Sequence, residues 1–225
     1  MPPSALLFDL DGTLVDSKRD LAKATNLLLE ELGFQAIDLE TVCTFVGRGA
    51  RALVRRALNH ADPAGTVSAD DPRLRHFLGH YQSVMLATTT PFPGVMGGLE
   101  SLRAAGIPMA IVTNKPEAPA REVLAGLGMT EFFGVIYGGD TLPTRKPEPD
   151  MLVQAAADLG VSLEGAWMVG DSDVDIDAAH AAGVPGVWCS WGGFHPERPH
   201  NADQRVDVFS ELVAMTLGRG IASLQ

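Results

Sequence analysis

The stretch Ala5-Leu6-Leu7-Phe8-Asp9-Leu10-Asp11-Gly12-Thr13 runs from four apolar residues directly into two carboxylates. Four apolar residues in a row fit a short strand of a parallel sheet, buried on both faces. Asp9 then stands at the carboxyl end of that strand. Asp11 lies two positions on and points to the same side of an extended chain. Two carboxylates 4 Å apart repel by about 4 kcal/mol at an effective dielectric near 20. They need a cation or a shared proton, and hard oxygen ligands at a strand end suit magnesium. Standing alone, Asp-x-Asp-Gly reads as a turn. The decision rests on whether other apolar runs end in the same way.

They do. Met109-Ala110-Ile111-Val112 stops at Thr113-Asn114, Val135-Ile136-Tyr137 at Gly138-Gly139-Asp140, and Trp167-Met168-Val169 at Gly170-Asp171; Val187-Trp188-Cys189 is the last such run. Helical spacing fills the gaps: Val95, Leu99 and Leu102 before Gly106; Val123, Leu124 and Leu127 before Gly128; Met151, Leu152, Ala155 and Leu159 before Gly160; Ala178, Ala179 and Ala182 before Gly183. Apolar positions three and four apart share a helix face, and a glycine just past them ends the helix. Strand alternating with helix predicts a doubly wound, Rossmann-like α/β sheet. Ligands of such sheets bind beyond the carboxyl ends of the strands, where these polar residues would gather.

Residues 16–89 read differently. Leu21, Thr25, Leu28 and Leu32 form one helical face, Ala50, Leu53, Val54, Ala57 and Leu58 a second, and Leu74, Phe77, Leu78, Tyr81 and Met85 a third, with no strand between them. The expectation is an α-helical cap domain, 16–89, inserted into a core formed by 1–15 and 90–225. Pro91 and Pro93-Gly94 mark the return to the core.

Of the 225 residues, 46% are hydrophobic and 20% charged, the balance of a folded soluble chain rather than a disordered one. A net charge of -11 disfavours nucleic acid and anionic membrane as partners. No apolar stretch approaches the roughly 20 residues of a membrane span. The N-terminus lacks the basic region of a signal peptide. Cys43 and Cys189 read as two reduced thiols. Together these predict a cytoplasmic protein, monomer or homodimer.

Four acids, Asp171, Asp173, Asp175 and Asp177, follow Gly170. One is enough to cap a helix. Asp171, at the strand end itself, is positioned to share a metal ion with Asp9, and Asp175, one helical turn on, to support it. Asp173 and Asp177 read as solvated. A site with three acids and a bound phosphate needs a fixed cation. Lys146, in Arg145-Lys146-Pro147-Glu148-Pro149, is the candidate, its backbone restricted by Pro147. Thr113 and Asn114 read either as an ordinary loop start or as donors to phosphoryl oxygens. There is no P-loop lysine motif and no dinucleotide glycine fingerprint, which leaves kinase and dehydrogenase readings without support.

Asp9-Leu10-Asp11-Gly12-Thr13, Thr113-Asn114, Lys146-Pro147 and Gly170-Asp171-Ser172 with Asp175, in this order over nearly the whole chain, resemble the haloacid dehalogenase superfamily of phosphohydrolases. Within it the chain looks most like the phosphoglycolate phosphatases, through Phe45-Val46-Gly47-Arg48-Gly49-Ala50, Phe92-Pro93-Gly94-Val95 and Gly138-Gly139-Asp140. Related sugar-phosphate phosphatases share these segments. The resemblance implies that Asp9 attacks phosphorus and that Asp11 protonates the leaving oxygen and then deprotonates water. It implies Mg2+ held by Asp9, the Asp11 carbonyl and Asp171, and phosphoryl oxygens held by Thr113, Asn114 and Lys146. It implies that Asp175 orients Lys146 or a metal-bound water and that the substrate is a small phosphorylated metabolite. Arg48, between Gly47 and Gly49, reads equally as a ligand for a substrate carboxylate and as a solvated arginine in a helix–helix turn. A phosphomutase of the β-phosphoglucomutase type and a non-catalytic phosphate-binding regulator remain as alternatives. A dehalogenase does not need the acid at Asp11.

Overall fold

The computed structural model describes residues 2–65, 71–194, 199 and 201–218. Strand β1 (Leu6–Phe8) is wholly buried, as its composition requires. A tight loop leads to the two-residue strand β2 (Val15–Asp16) and then to helices α1 (Lys18–Glu31), α2 (Leu39–Cys43), α3 (Ala50–Ala61) and α4 (Arg73–Val84). Strand β3 (Thr90–Pro91) returns antiparallel to β2, pairing Asp16 with Thr90 and Val15 with Pro91. The remainder alternates: α5 (Val95–Ala104), β4 (Met109–Val112), α6 (Glu117–Gly126), β5 (Val135–Tyr137), α7 (Asp150–Asp158), β6 (Trp167–Gly170), α8 (Asp173–Ala181), β7 (Gly186–Cys189), β8 (Gln204–Val206) and α9 (Phe209–Leu217).

Six strands form one parallel sheet in the order β5-β4-β1-β6-β7-β8. The chain builds outward from β1 through β4 to β5, then crosses back to build β6, β7 and β8 on the other side. The order therefore reverses beside β1, the position where doubly wound sheets bind ligands. Alternation along β1 divides the core. Leu6 and Phe8 pack with Leu99 of α5 and Phe209 and Leu212 of α9, whereas Leu7 packs with Met151 and Leu152 of α7 and Ala178 of α8. Burial of each such side chain is worth about 1.5–3 kcal/mol. The expected α/β sheet, covered on both faces, is the architecture found.

Helices α1–α4 pack on one another through Leu21 and Leu28, Leu53 and Leu58, and Phe77 and Tyr81, all buried. The buried Asp20 carboxylate, at the start of α1, accepts the backbone N–H groups of Thr88 and Thr89 (2.8–3.1 Å) and both their hydroxyls (2.7 Å). It clamps the outgoing chain to the returning one. These bonds hold its carboxyl below the ordinary aspartate value although burial opposes them.

Four elements depart from the expectation. Val187-Trp188-Cys189 is not the last strand, because β8 follows it. β8 gives no apolar run: it is a sheet edge, and Gln204 and Arg205 are exposed. Asp16 and Thr90 belong to strands two residues long, too short for any periodicity. Helix α9 also lies beyond the elements expected, although Phe209, Leu212 and Val213 carry its spacing. Cys43 and Cys189 are free and buried. Among the described residues no helix is long and apolar enough to cross a membrane.

Candidate active site

Asp9 follows β1, Thr113 follows β4 and Asp171 follows β6, and these three strands are neighbours. The sheet register thus places side by side three residues that are distant in sequence. The Asp9 N–H donates to the Val169 carbonyl at 2.9 Å, extending the ladder one residue past the strand. The chain then turns sharply: the Leu10 carbonyl accepts from Leu14 at 3.0 Å and Val15 at 3.1 Å. Gly12 sits in this turn with φ +88°, and a Cβ there would lie 2.3 Å from Asp171 Oδ2. Glycine is required by the backbone and by the carboxylate beside it.

Lys146 Nζ is buried between two carboxylates, 2.9 Å from Asp9 Oδ1 and 2.6 Å from Asp175 Oδ1. Asp175 Oδ2 accepts the Ser172 N–H at 3.1 Å and its hydroxyl at 2.7 Å, closing a capping box on α8. Capping and lysine support, set against each other by the sequence, are both carried out by this one residue. Burial would lower the Lys146 ammonium, but Asp175 and Asp9 hold it above the ordinary lysine value. Gly170 makes room for the cap, since a Cβ there would come within 2.2 Å of Asp175 Cγ.

Oxygens of Asp9, Asp171 and Asp175 lie within 4.8 Å of one another. Asp175 is committed to Lys146 and Ser172. Asp171 Oδ2 is buried and, among the described residues, has no hydrogen-bond partner. An orphaned carboxylate oxygen beside a second carboxylate is what a hard divalent cation would complete. Burial, with Asp175 adding, pushes the Asp9 carboxyl up to about 6 against the pull of Lys146. Burial and the charges of Asp175 and Asp9 hold Asp171 well above the usual carboxylate range. Both groups call for more positive charge than Lys146 supplies, and the residues present fit a metal ion.

The Asp11 carboxylate faces other partners. It accepts the Ser17 hydroxyl at 2.6 Å and Lys115 Nζ at 3.0 and 2.9 Å. Lys115 Nζ also donates to the Tyr81 hydroxyl oxygen at 2.6 Å and lies 4.4 Å from that ring's centroid. Burial would lower the Lys115 ammonium, yet Asp11 and Tyr81 outweigh it and raise it. Lys115 lies outside the residues singled out from the sequence. Its one signal is Pro116, which follows it as Pro147 follows Lys146.

Thr113 Oγ1 accepts the Lys115 N–H at 3.3 Å, so its own hydroxyl hydrogen is free to turn elsewhere. The Asn114 side chain has structural partners of its own. Its amide group donates to the Gly47 and Lys146 carbonyls, both at 3.0 Å, and so ties α2–α3 and the lysine loop to the end of β4. Both amide hydrogens are used in this way. Arg48 is half-exposed, 3.4 Å from the exposed Asp173 at the start of α8. Asp177, also exposed, accepts from Asn201 at 3.1 Å. The aromatic residues in and after β7 hold backbone: Trp188 Nε1 donates to the Asp171 carbonyl at 3.0 Å and Trp191 Nε1 to the Thr13 carbonyl at 2.9 Å, while Phe194 is buried.

A cavity of about 50 Å³ lies over the strand ends. Asp9, Asp11, Thr113, Asn114 and Lys115 form its floor, and Val46, Gly47, Leu53, Phe77 and Tyr81 form its roof from the helical stretch. At about 10–15 Å³ per water it holds a few waters.

The sequence profile of the haloacid dehalogenase-like hydrolases matches residues 6–189. Among curated proteins, the chain is similar to the plasmid-borne phosphoglycolate phosphatase of Cupriavidus necator, 41% identical over 96% of this chain and 94% of that protein. It is also similar to the phosphoglycolate phosphatase of Rhodospirillum rubrum, 45% identical over 84% of this chain and 80% of that one. Among solved structures, a protein from Haemophilus somnus 129PT described as a predicted phosphoglycolate phosphatase superposes with a TM-score of 0.87 at 31% identity, covering 95% of this chain and 97% of its own. CbbY from Rhodobacter sphaeroides, in complex with phosphate, superposes with a TM-score of 0.78 at 27% identity, covering 93% of this chain and 96% of its own.

Proposed function

The chain belongs to the haloacid dehalogenase-like hydrolase family and is a phosphoric monoester hydrolase, and on that premise we propose that it is a Mg2+-dependent cytoplasmic phosphatase converting 2-phosphoglycolate to glycolate and phosphate through an aspartyl-phosphate on Asp9. The observation that carries the reading is the division of labour between the two acids of the first motif. Asp9 lies with Lys146 and the orphaned Asp171, and Asp11 lies apart from them with Ser17 and Lys115. Magnesium, when bound by the Asp9 and Asp171 carboxylates and the Asp11 carbonyl, supplies the positive charge that lets an anionic nucleophile approach a phosphate dianion.

An Asp9 oxygen bonds to phosphorus as the ester P–O bond breaks, and Asp11 passes a proton to the departing oxygen. Water then attacks phosphorus, Asp11 takes its proton, and the bond to Asp9 breaks. Lys146, the Thr113 hydroxyl and the backbone at Asn114 hold the phosphoryl oxygens as charge shifts between them. Asp175 aims Lys146, and the Asn114 side chain positions the loops around it. Residues 16–89 act as a cap over a core of 1–15 and 90–225, hinged where β2 and β3 run together and where Asp20 grips Thr88 and Thr89. Arg48 joins cap to core through Asp173. The small cavity and the named relatives favour a short substrate. Two free, buried thiols fit a reducing compartment.

Phosphate release from phosphoglycolate, with and without Mg2+, tests the proposal. Asp9→Asn should fold normally and lose at least about 10³-fold in kcat. Substantial turnover by that variant would remove Asp9 as nucleophile. Isomerisation of a hexose 1-phosphate, in place of phosphate release, would make the chain a mutase.

A further inference from the structure

We propose that Lys115, with the hydroxyl of Tyr81, is the receptor for a second anionic group on the substrate, a carboxylate on the carbon next to the phosphate ester. The inference rests on the phosphatase reading above and names what selects among phosphate esters. Among the described residues that line the cavity, Lys115 is the one that carries a positive charge. Lys146, enclosed by Asp9 and Asp175, and Arg48, on Asp173, do not line it; Lys115, held by Asp11 and Tyr81, does. The chain carries a net charge of -11, so an ester with two anionic ends gains nothing from the general field and needs a local cation for each end.

The geometry sets where that second anion lies. A leaving oxygen must come within about 2.6–3.2 Å of the Asp11 carboxylate to take its proton. Lys115 Nζ is 2.9 Å from the same carboxylate, so it lies within about 6 Å of the leaving oxygen. A carboxylate on the adjacent carbon spans about 3 Å, so one directed toward Nζ comes within hydrogen-bond reach of it. Tyr81 completes the receptor. Its oxygen already accepts from Lys115, so its hydroxyl hydrogen is available to a ligand in the cavity that both residues line. Tyr81 comes from α4 and Lys115 from the loop after β4. The receptor therefore exists only with the helices seated over the sheet, and an ester with the second anion bridges the two.

The test compares kcat/KM for phosphoglycolate with kcat/KM for 2-hydroxyethyl phosphate, which replaces the carboxylate by an alcohol, in the full chain with Mg2+. Lys115→Met should lose roughly 100-fold on phosphoglycolate, mostly in KM, and tenfold or less on the uncharged ester. Tyr81→Phe should lose roughly tenfold with the same selectivity. Equal losses on the two esters would overturn the proposal and leave Lys115 as a structural partner of Asp11. Should Lys115→Met fail to fold, judged by circular dichroism, Tyr81→Phe decides by the same comparison. A wild-type protein that hydrolyses the uncharged ester as well as phosphoglycolate rejects the receptor while keeping the phosphatase. One that releases phosphate from neither ester nor from p-nitrophenyl phosphate rejects the phosphatase reading itself.

Discussion

Replacing Lys146 by methionine removes the charge that joins Asp9 to Asp175 and keeps most of the side-chain volume. The lysine side chain is 1% exposed, and its partners 12% and 2%. Removing one member of a buried pair leaves the other uncompensated, at a cost of about 3–5 kcal/mol. A domain of this size shifts by about 2–4 °C per kcal/mol, so Tm should fall by about 6–20 °C. The loss should also depend on pH. Asp9 already titrates at about 6 in the folded protein, above its ordinary value of 3.8. A raised carboxyl leaves stability intact below the unfolded value and erodes it as pH rises through the folded one. Without Lys146 that erosion deepens and extends upward, because Asp9, Asp171 and Asp175 keep only one another. Thermal melts of wild type and Lys146→Met at pH 5 and pH 8, in chelator so that no cation replaces the ammonium, measure both effects. A Tm change under about 2 °C, or an equal change at the two pH values, would refute the assignment of Lys146 as the counter-charge of this cluster.

Three further outcomes follow from the geometry. Magnesium at 100 times its dissociation constant should stabilise the wild type by about 2.7 kcal/mol, or roughly 5–10 °C in Tm; Asp171→Asn should lose most of that gain, and an unchanged gain would remove Asp171 as a ligand. Gly12→Ala puts a methyl against Asp171 Oδ2 at a positive φ, so urea unfolding should show a loss of about 2–3 kcal/mol together with a weaker magnesium shift; a neutral effect would contradict the turn. Asp20 has a depressed carboxyl, so its contribution is present above the ordinary aspartate value and fades as pH falls below about 4. Asp20→Asn should therefore lose about 1.5–3 kcal/mol at pH 7 and converge on the wild type near pH 3, as read by urea denaturation; parallel curves at both pH values would separate Asp20 from the hinge.

Signals that lie within a few residues were open in the amino-acid sequence. The four apolar residues before Asp9, the glycine in the turn after it and the helix spacings between apolar runs determined an α/β sheet and the end of it where the carboxylates gather. Asp9, Lys146 and Asp171 were legible because each abuts a buried strand or a proline, and such neighbours limit what a charged residue can do. Tertiary structure decided the rest. Lys115 meets Asp11 across 104 residues, and Asn114 meets Gly47 across 67. No periodicity encodes either pairing: the first arises because β1 and β4 lie side by side in the sheet, the second because the helical stretch folds back over it. The same docking tied the Asn114 amide to the Gly47 carbonyl, placed Arg48 on Asp173 and set Tyr81 beside a buried lysine. Strand β8 carries no apolar run for a related reason: an edge strand is stabilised by its neighbour's hydrogen bonds, and its own side chains need not be apolar. Sequence records what a residue must be buried against; only the folded chain records which distant charge it is buried beside.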